Sequence, residues 1–279
     1  GSHLGTVGAS ERHNPITGTG LPAGRQFLKV DVGDNSACAL DDQRELWCWG
    51  EAELGQLGVP LGGGATASGP RLARVNVVDF SVGRSTVCAV EGTGSVVCWG
   101  EDAGLKNGAG DGSAAVTLAT GTWKRVAISG PHGCISDASS RVACWGTNWA
   151  GQIGQPLGVA STATPTNVAM PPGSGGPRTF GLAAGDSSTC AFEAGPSNTE
   201  GTVFCWGGYA GPATFVPIDQ GVFHTADLSI SRGNRPCIIG YNSFVSRPSL
   251  LCHDESIFDG FSEDGTAATV GFSSTQPLA

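Results

Sequence analysis

Short apolar runs rich in Val, Ala, Phe and Cys alternate with turn-forming clusters along most of the chain. Typical clusters are Asp41-Asp42, Gly92-Thr93-Gly94 and Asp137-Ala138-Ser139-Ser140. Apolar runs that flank such short polar segments are typical of antiparallel β-hairpins. The stretch 25–32 predicts a first strand and the stretch 267–272 a last one. The pattern therefore predicts an all-β protein made of many short strands.

The cysteines show that these hairpins belong to a repeat. Two series of five cysteines recur about every 50 residues, a period that is typical of repeat architectures. The first series is Cys38, Cys88, Cys134, Cys190 and Cys237, and the second is Cys48, Cys98, Cys144, Cys205 and Cys252. The second series is embedded in Cys-Trp-Gly in the first four repeats.

Each cysteine pair fits a disulfide across one hairpin. If Cys38 faces Cys48, then residues 39 and 47 pair, residues 40 and 46 pair, and a short loop remains near Gln43. Opposed residues of antiparallel strands have Cα atoms about 4.5–5.5 Å apart, and a disulfide accepts about 4.4–6.8 Å. We expect five local bridges: 38–48, 88–98, 134–144, 190–205 and 237–252.

Two other uses of these cysteines fit the sequence less well. A zinc site needs ligand pairs about two residues apart, as in C-x₂-C, and the ten cysteines show no such spacing. A catalytic thiol needs an unpaired cysteine, whereas five pairs leave none over. Ten oxidised cysteines indicate an extracytoplasmic protein that is secreted, periplasmic or on the cell surface.

Five units of this length match four-stranded blades with their connections. A blade cannot bury both of its faces alone, so the units are expected to stack around an axis as a β-propeller of about five blades. The Trp of each Cys-Trp-Gly is expected to pack between blades, and the strands 25–32 and 267–272 to share a blade that closes the ring. We assign residues 1–24 to a tag scar, Gly1-Ser2-His3, and an N-terminal segment, and residues 25–279 to one propeller domain.

Composition narrows the range of partners. The net charge is −9, the isoelectric point is near 4.9, and the 15 basic residues are scattered. Nucleic-acid affinity comes chiefly from clustered Lys and Arg that neutralise phosphates, so a nucleic-acid partner is not expected. No apolar run reaches the length that crosses a membrane, so no membrane span is expected either.

The repeat resembles that of the regulator-of-chromosome-condensation family. The resemblance rests on Gly-x-x-x-x-Cys-Ala-Leu, on x-Val-x-Cys-Trp-Gly, and on Leu-Gly-Gln-Leu-Gly at 54–58 and Ala-Gly-Gln-Ile-Gly at 150–154. It covers roughly residues 25–255 and is strongest for the cysteine-bearing variety of bacterial secreted and surface proteins. It implies a β-propeller, often seven-bladed, although the fifth unit has Leu251-Cys252-His253 where Trp and Gly are expected.

Function follows only loosely from this resemblance. The family's nuclear members are guanine-nucleotide exchange factors that bind chromatin, a role that fits neither the acidic charge nor the paired cysteines. Bacterial relatives include an inhibitor of β-lactamase that blocks an enzyme with loops on one propeller face. The resemblance therefore implies a scaffold whose loops bind something, and fold alone does not fix what.

The sequence offers few candidates for catalysis or metal binding. The histidines outside the tag, His13, His132, His224 and His253, share no short motif, so each is expected to be a turn or hydrogen-bonding residue. The segment 107–112 is similar to a calcium-binding Gly-Asp repeat but occupies the slot of Gly55-Gln56-Leu57-Gly58. The carboxylate pairs 41/42, 51/53 and 101/102 lie in turns, where solvated side chains are expected. We therefore expect no enzyme, no cofactor and no metal.

Aromatic residues in two loops are the best candidates for binding. Trp149 and Tyr209 lie in the loops that follow the Cys-Trp-Gly motifs of the third and fourth repeats. Equivalent loops should project on one propeller face, where exposed aromatics suit protein interfaces and sugar stacking, although these rings also suit a blade-capping role. The leading hypothesis is a binding module for a protein or peptide. The alternatives are a lectin-like carbohydrate-binding propeller and an enzyme with its site in the central channel.

Overall fold

The computed structural model describes residues 20–59, 69–101, 114–130, 132–139, 141–170, 179–194, 203–208, 216–217, 223–230, 236–242 and 245–252. All regular structure in this part of the chain is β-strand, in five antiparallel sheets. None of it contains a helix long and apolar enough to cross a membrane. The predicted all-β propeller fold is confirmed.

The strands follow one another in sequence order within each sheet, which we call a blade. Blade 1 contains β1 (Phe27–Val32), β2 (Ser36–Asp41), β3 (Leu46–Gly50) and β4 (Arg71–Arg74). Blade 2 contains β5 (Val77–Val82), β6 (Thr86–Glu91), β7 (Val96–Gly100) and β8 (Val116–Ala119). Blade 3 contains β9 (Trp123–Ser129), β10 (His132–Asp137), β11 (Val142–Thr147) and β12 (Ser161–Asn167). Blade 4 contains β13 (Thr179–Ala184), β14 (Ser188–Ala194), β15 (Val203–Gly207) and β16 (Val216–Pro217), and blade 5 contains β17 (Phe223–Ile230), β18 (Pro236–Asn242) and β19 (Val245–Cys252).

The hairpin register is the one that the cysteine spacing predicts. In blade 1, Cys38 faces Cys48, Ala39 faces Trp47, and Leu40 faces Leu46. Disulfides join residues 38–48, 88–98, 134–144 and 190–205, with Cα atoms 4.1 Å apart in the first three and 4.0 Å apart in the fourth. In blade 5, Cys237 is disulfide-bonded and pairs in register with Cys252. The bridge 237–252 itself stays a prediction, because the side chain of Cys252 lies outside the described set.

In the first four blades the paired cysteines and the Trp of Cys-Trp-Gly lie on opposite faces, because successive side chains of a strand alternate between the two faces of a sheet. We call the two sides the cysteine face and the tryptophan face. The cysteine face of blade 1 packs on the tryptophan face of blade 2, in a buried cluster that includes Cys38, Leu46, Cys48, Phe80 and Trp99. Equivalent clusters join blade 2 to 3, blade 3 to 4, and blade 4 to 5. The hydrophobic core is thus a series of junctions between consecutive blades.

The tryptophans confirm most of this packing prediction. Trp99, Trp145 and Trp206 are 3%, 2% and 0% exposed, and each lies in a junction with the preceding blade. Trp49 of the first blade is only half-buried. The first strand begins at Phe27, two residues after its predicted start, and the predicted last strand at 267–272 lies outside the described residues.

Candidate binding face and central cavity

At one end of the propeller, two kinds of loop meet in blades 1, 2 and 4. The turn that follows the innermost strand meets the start of the loop that follows the third strand, through hydrogen bonds from Glu51 N to Asn35 O, Glu101 N to Ser85 O, and Gly208 N to Ser187 O. Trp149 lies in the loop that follows the third strand of blade 3, directly after β11. We call this end of the molecule the loop face.

The Gly-Gln-x-Gly segments at 55–58 and 151–154 join blade 1 to blade 2 and blade 3 to blade 4. The indole N–H of Trp99 donates to the carbonyl of Gln56 at 3.1 Å, and that of Trp206 donates to the carbonyl of Gln152 at 3.1 Å. The glutamine side chain holds its own loop, since Oε1 of Gln152 accepts the N–H of Ala150 at 2.8 Å. The motif is therefore a structural clamp for the next blade's tryptophan.

His132 lies inside the junction between blades 3 and 4. Its Nε2 is 2.9 Å from Oγ1 of Thr189, and that hydroxyl donates to the carbonyl of Gln152 at 2.9 Å. Because the Thr189 proton is used on Gln152, His132 must be the donor, which places its proton on Nε2. Burial lowers the pKa of His132 to about 4. The expectation that it is a hydrogen-bonding residue is confirmed for this histidine.

Trp149 is exposed on a loop that its neighbour holds in shape. Its side chain is 56% exposed, and Leu157 and Val159 of the same loop are 51% and 36% exposed. Nδ2 of Asn148 lies 3.0 Å from the carbonyl of Gln155, 3.1 Å from that of Pro156 and 2.9 Å from that of Val159. Asn148 is itself fully buried. We call the exposed side chains of Trp149, Leu157 and Val159 the Trp149 surface.

The structure describes only one of the two predicted binding aromatics, Trp149. Trp149 takes the position that Glu53 has in blade 1, three residues before the Gln of Gly-Gln-x-Gly. Tyr209 lies outside the described residues, so its proximity to Trp149 stays a prediction. The role of Asn148 was not predicted from the sequence, because its side chain bonds carbonyls up to eleven residues away.

The innermost strands of the five blades surround a central cavity of about 860 Å³. Its wall is apolar where Val30, Val82, Val126, Leu182 and Leu228 line it, one from each blade. It also contains the titratable residues Lys29, Asp31, Asp34, Arg84 and Asp186. The cavity wall therefore mixes apolar and charged groups.

Several polar side chains of the inner strands hold neighbouring blades together. Oδ2 of Asp31 accepts the N–H of Val82 at 2.8 Å, and Oδ2 of Asp79 accepts that of Val126 at 3.0 Å. Nζ of Lys29 lies 2.7 Å from Oδ1 of Asp79. Burial raises the pKa of Asp31, although its bonds to backbone N–H groups and the nearby Lys29 charge oppose this. Asp31 and Asp79 thus provide acceptors for backbone N–H groups on the innermost strand of the next blade.

The turn carboxylates also prove structural, and one expectation about them was wrong. Asp41 is fully buried, not solvated. Its Oδ1 accepts the N–H groups of Gln43 and Glu45, both at 2.9 Å, and Arg25 lies 2.8 Å from its Oδ2. A carboxylate that caps its own turn is held by the backbone, a possibility that composition alone did not reveal. Asp137 holds the blade 3 hairpin in the same way.

Metal binding receives no support from the described residues, which contain no group of three or more His, Cys, Asp and Glu side chains that could hold an ion. The candidate calcium segment at 107–112 lies outside them. Of the candidate acid–base pairs, Glu51 is half-buried, whereas Glu53 and Glu101 are exposed at the loop face.

Residues 27–56 match the family model described as the regulator of chromosome condensation (RCC1) repeat. This stretch holds β1 to β3 and the first part of the following loop, so the resemblance read from the repeat is confirmed. No curated protein sequence matches the chain.

Solved structures share the propeller fold. Human WBSCR16 superposes with a TM-score of 0.63 at 19% identity, over 83% of this chain and 64% of that one. Prp20p from Saccharomyces cerevisiae superposes with a TM-score of 0.61 at 16% identity, over 79% of this chain and 57% of that one. Yeast RCC1 (Prp20) in its complex with Kap60 gives a TM-score of 0.59 at 15% identity, over 75% of this chain and 53% of that one. The chain thus spans between 53% and 64% of these structures.

Proposed function

We propose that this chain is a non-enzymatic binding module that recognises a protein or peptide through its loop face. The observation that carries the proposal is the Trp149 surface, where three apolar side chains are exposed on a loop that the buried Asn148 holds in shape. Exposed aromatics on a rigid support are favoured at binding hot spots, because they bury a large area and lose little conformational freedom.

The structural neighbours support this type of function. Prp20p binds Gsp1p and histones, and yeast RCC1 also binds Kap60. At 15% and 16% identity those partners do not transfer to this chain, whose net charge is −9. What supports the proposal is that a propeller of this type serves as a platform for proteins.

The proposed compartment is extracytoplasmic. Four hairpins are closed by disulfides, and no cysteine in the described part of the chain is free. Reducing cytosol rarely allows stable structural disulfides, so an oxidising compartment suits this protein.

The site can be tested with peptides selected against the folded protein. Peptides from a random library are selected on the immobilised chain, and their affinity is then measured by calorimetry with the wild type, Trp149→Ala and Val116→Ala. Val116 is 43% exposed on the outer strand of blade 2 and serves as the control. We expect Trp149→Ala to weaken binding at least tenfold and Val116→Ala to leave it unchanged. Equal affinity of all three proteins would remove the Trp149 surface from the proposal.

Carbohydrate binding is the second candidate, and the exposed ring of Trp149 favours it. Sugars stack their apolar faces on such rings, and a ring that is 56% exposed is accessible for this contact. A glycan array probed with the wild type and with Trp149→Ala distinguishes the two candidates. Signals that vanish in the variant would support a lectin, and a blank array at millimolar glycan would exclude one.

A further inference from the structure

The tryptophan face of blade 1 differs from that of the following blades in its exposure. Val30 and Val32 of β1 are each 65% exposed, beside the opening of the central cavity, and Phe27 is 38% exposed. Val30 pairs with Ala39 in register, as Phe80 pairs with Ala89 in blade 2, so these two residues occupy equivalent positions. Phe80 is 0% exposed. The same position is therefore buried where a preceding blade covers it and open in blade 1.

The exposed apolar surface extends across the rest of this face. Trp47 and Trp49 of β3 are half-buried, and Leu72 of β4, which pairs with Trp47, is 39% exposed. Isolated surface hydrophobics need no explanation, but several exposed apolar side chains on the same face of one blade mark an interaction site.

The junctions within the chain show what covers such a face. Blade 1 covers blade 2 with Cys38, Leu40, Leu46 and Cys48, all of them on its cysteine face. Blades 2 and 3 use the same positions on the blades that follow, through Cys88, Val90, Val96 and Cys98 and then through Cys134, Val142 and Cys144. The partner chemistry is thus a hairpin disulfide flanked by aliphatic side chains.

The fifth blade carries this pattern in its sequence and register. Cys237 pairs with Cys252, and Ile239 pairs with Leu250, at the register positions that Cys38, Cys48, Leu40 and Leu46 hold in blade 1. No further blade follows blade 5 within the described residues, so this cysteine face is the terminal one there. The two ends of the described propeller are therefore complementary to each other.

Among the described residues, blade 5 does not cover this face of blade 1. β17 packs on β13 and β14 of the preceding blade, and the side chains of β1 remain exposed with blade 5 in place. We propose that the tryptophan face of blade 1 docks the cysteine face of blade 5 of a second copy, in a head-to-tail contact that repeats the junctions inside the chain. Such a contact joins two different surfaces, so it is heterologous and leaves one tryptophan face and one cysteine face free in each pair.

A photo-crosslinker tests both the surface and its occupant. Val30 is replaced by p-benzoylphenylalanine in protein made as separate ¹⁴N and ¹⁵N batches, which are mixed before irradiation. We expect cross-linked peptides that join β1 of one isotope to the Cys237 region of the other. Cross-links found only within one isotope would show that the chain covers its own face. That result, or cross-links to other regions, would overturn the proposal.

Sedimentation gives an independent measure with a matched control. Val30→Lys and Val116→Lys both place a charge at an exposed valine of a strand, so neither should impair folding, which the melting temperature checks. We expect the wild type and Val116→Lys to self-associate with rising concentration and Val30→Lys to weaken that association at least tenfold. A monomeric wild type, or association that Val30→Lys leaves unchanged, would overturn the proposal.

Discussion

The indole N–H of Trp206 and the backbone carbonyl of Gln152 form a 3.1 Å hydrogen bond across the junction between blades 3 and 4. The carbonyl of Gln152 also accepts the hydroxyl of Thr189, whereas the corresponding position in blade 2 is Val87, which has no hydroxyl. The junction between blades 1 and 2 therefore depends more heavily on its tryptophan bond, from Trp99 to Gln56.

This difference predicts unequal costs for the same substitution at two junctions. Trp99→Phe removes the donor to the carbonyl of Gln56. Trp206→Phe also removes a donor, but the carbonyl of Gln152 still accepts the hydroxyl of Thr189. A buried carbonyl left without its donor costs about 1–3 kcal/mol, and the loss of one of two bonds costs about 1 kcal/mol. We expect Trp99→Phe to lower the free energy of unfolding more than Trp206→Phe in urea titrations. The reverse order would show that the Gln56 carbonyl has little part in stability.

The glycine that ends the clamp, Gly58, predicts a sharp contrast with a control glycine in the loop after β11, Gly158. Gly58 has φ +69°, and a Cβ atom there would lie 2.9 Å from Nε1 of Trp99. Gly58→Ala therefore combines backbone strain with a clash, and we expect it to destabilise the fold by about 1–3 kcal/mol. At Gly158 an added Cβ meets nothing within 4 Å, so Gly158→Ala should change the free energy of unfolding by less than about 0.5 kcal/mol. Similar melting temperatures for the two variants would contradict this reading of the clamp.

The buried His132 predicts a loss of stability in mild acid. Its folded-state pKa is about 4, below the ordinary value of 6.5, so between these values the unfolded chain binds a proton that the folded protein does not. The free energy of unfolding should therefore fall as the pH drops from 6.5 towards 4, by up to about 3 kcal/mol from this residue. Asp31, whose pKa is raised, acts in the opposite direction, since its contribution is present at low pH and is lost as pH rises through its folded-state pKa.

The variant His132→Gln separates the effect of the histidine on stability from the effect of the carboxylates. His132→Gln keeps a donor for Thr189 and removes the titration, so its stability should depend less on pH than that of the wild type in this window. Parallel denaturant titrations at pH 7, 6, 5 and 4 measure the difference. Curves that stay parallel would show that His132 is not the acid-sensitive group.

Burial of the bridges predicts resistance to reduction. In the four described bridges the cysteines are 0% exposed, apart from Cys98 at 3%. A reductant cannot reach such sulfur atoms until the blades separate, so thiol alkylation with iodoacetamide should stay low in reductant alone and rise when urea is added. Non-reducing peptide mass spectrometry of the same samples should also find the predicted 237–252 bridge. Rapid reduction of the native protein, or Cys237 joined to another cysteine, would contradict this account.

The fold was predictable because its information is local and repeated. Cys38 and Cys48 determine a hairpin register from their spacing alone, and five copies of the unit predict that the blades stack on one another. The clamp from Trp99 to Gln56 was beyond sequence analysis, since its partners are 43 residues apart and only the packing of blades brings them together. The burial of Asp41 was missed because its oxygens accept backbone N–H groups, which every sequence contains.

The candidate site was only partly predictable for the same reason. Trp149 was identified from its place after Cys-Trp-Gly, but its exposure and the support from Asn148 depend on the course of the loop to residue 160. The inner-strand ties of Asp31 and Asp79 were missed, because each side chain reaches the backbone of the next blade.

Hydrogen–deuterium exchange with a selected peptide bound tests the proposed function most directly. The account predicts slowed exchange in residues 148–160 of the loop face, with no change in the strands around the central cavity, including β1. Protection confined to the cavity strands or to β1, with the loop at 148–160 exchanging as in the free protein, would contradict the claim that this propeller binds its partner through the Trp149 surface.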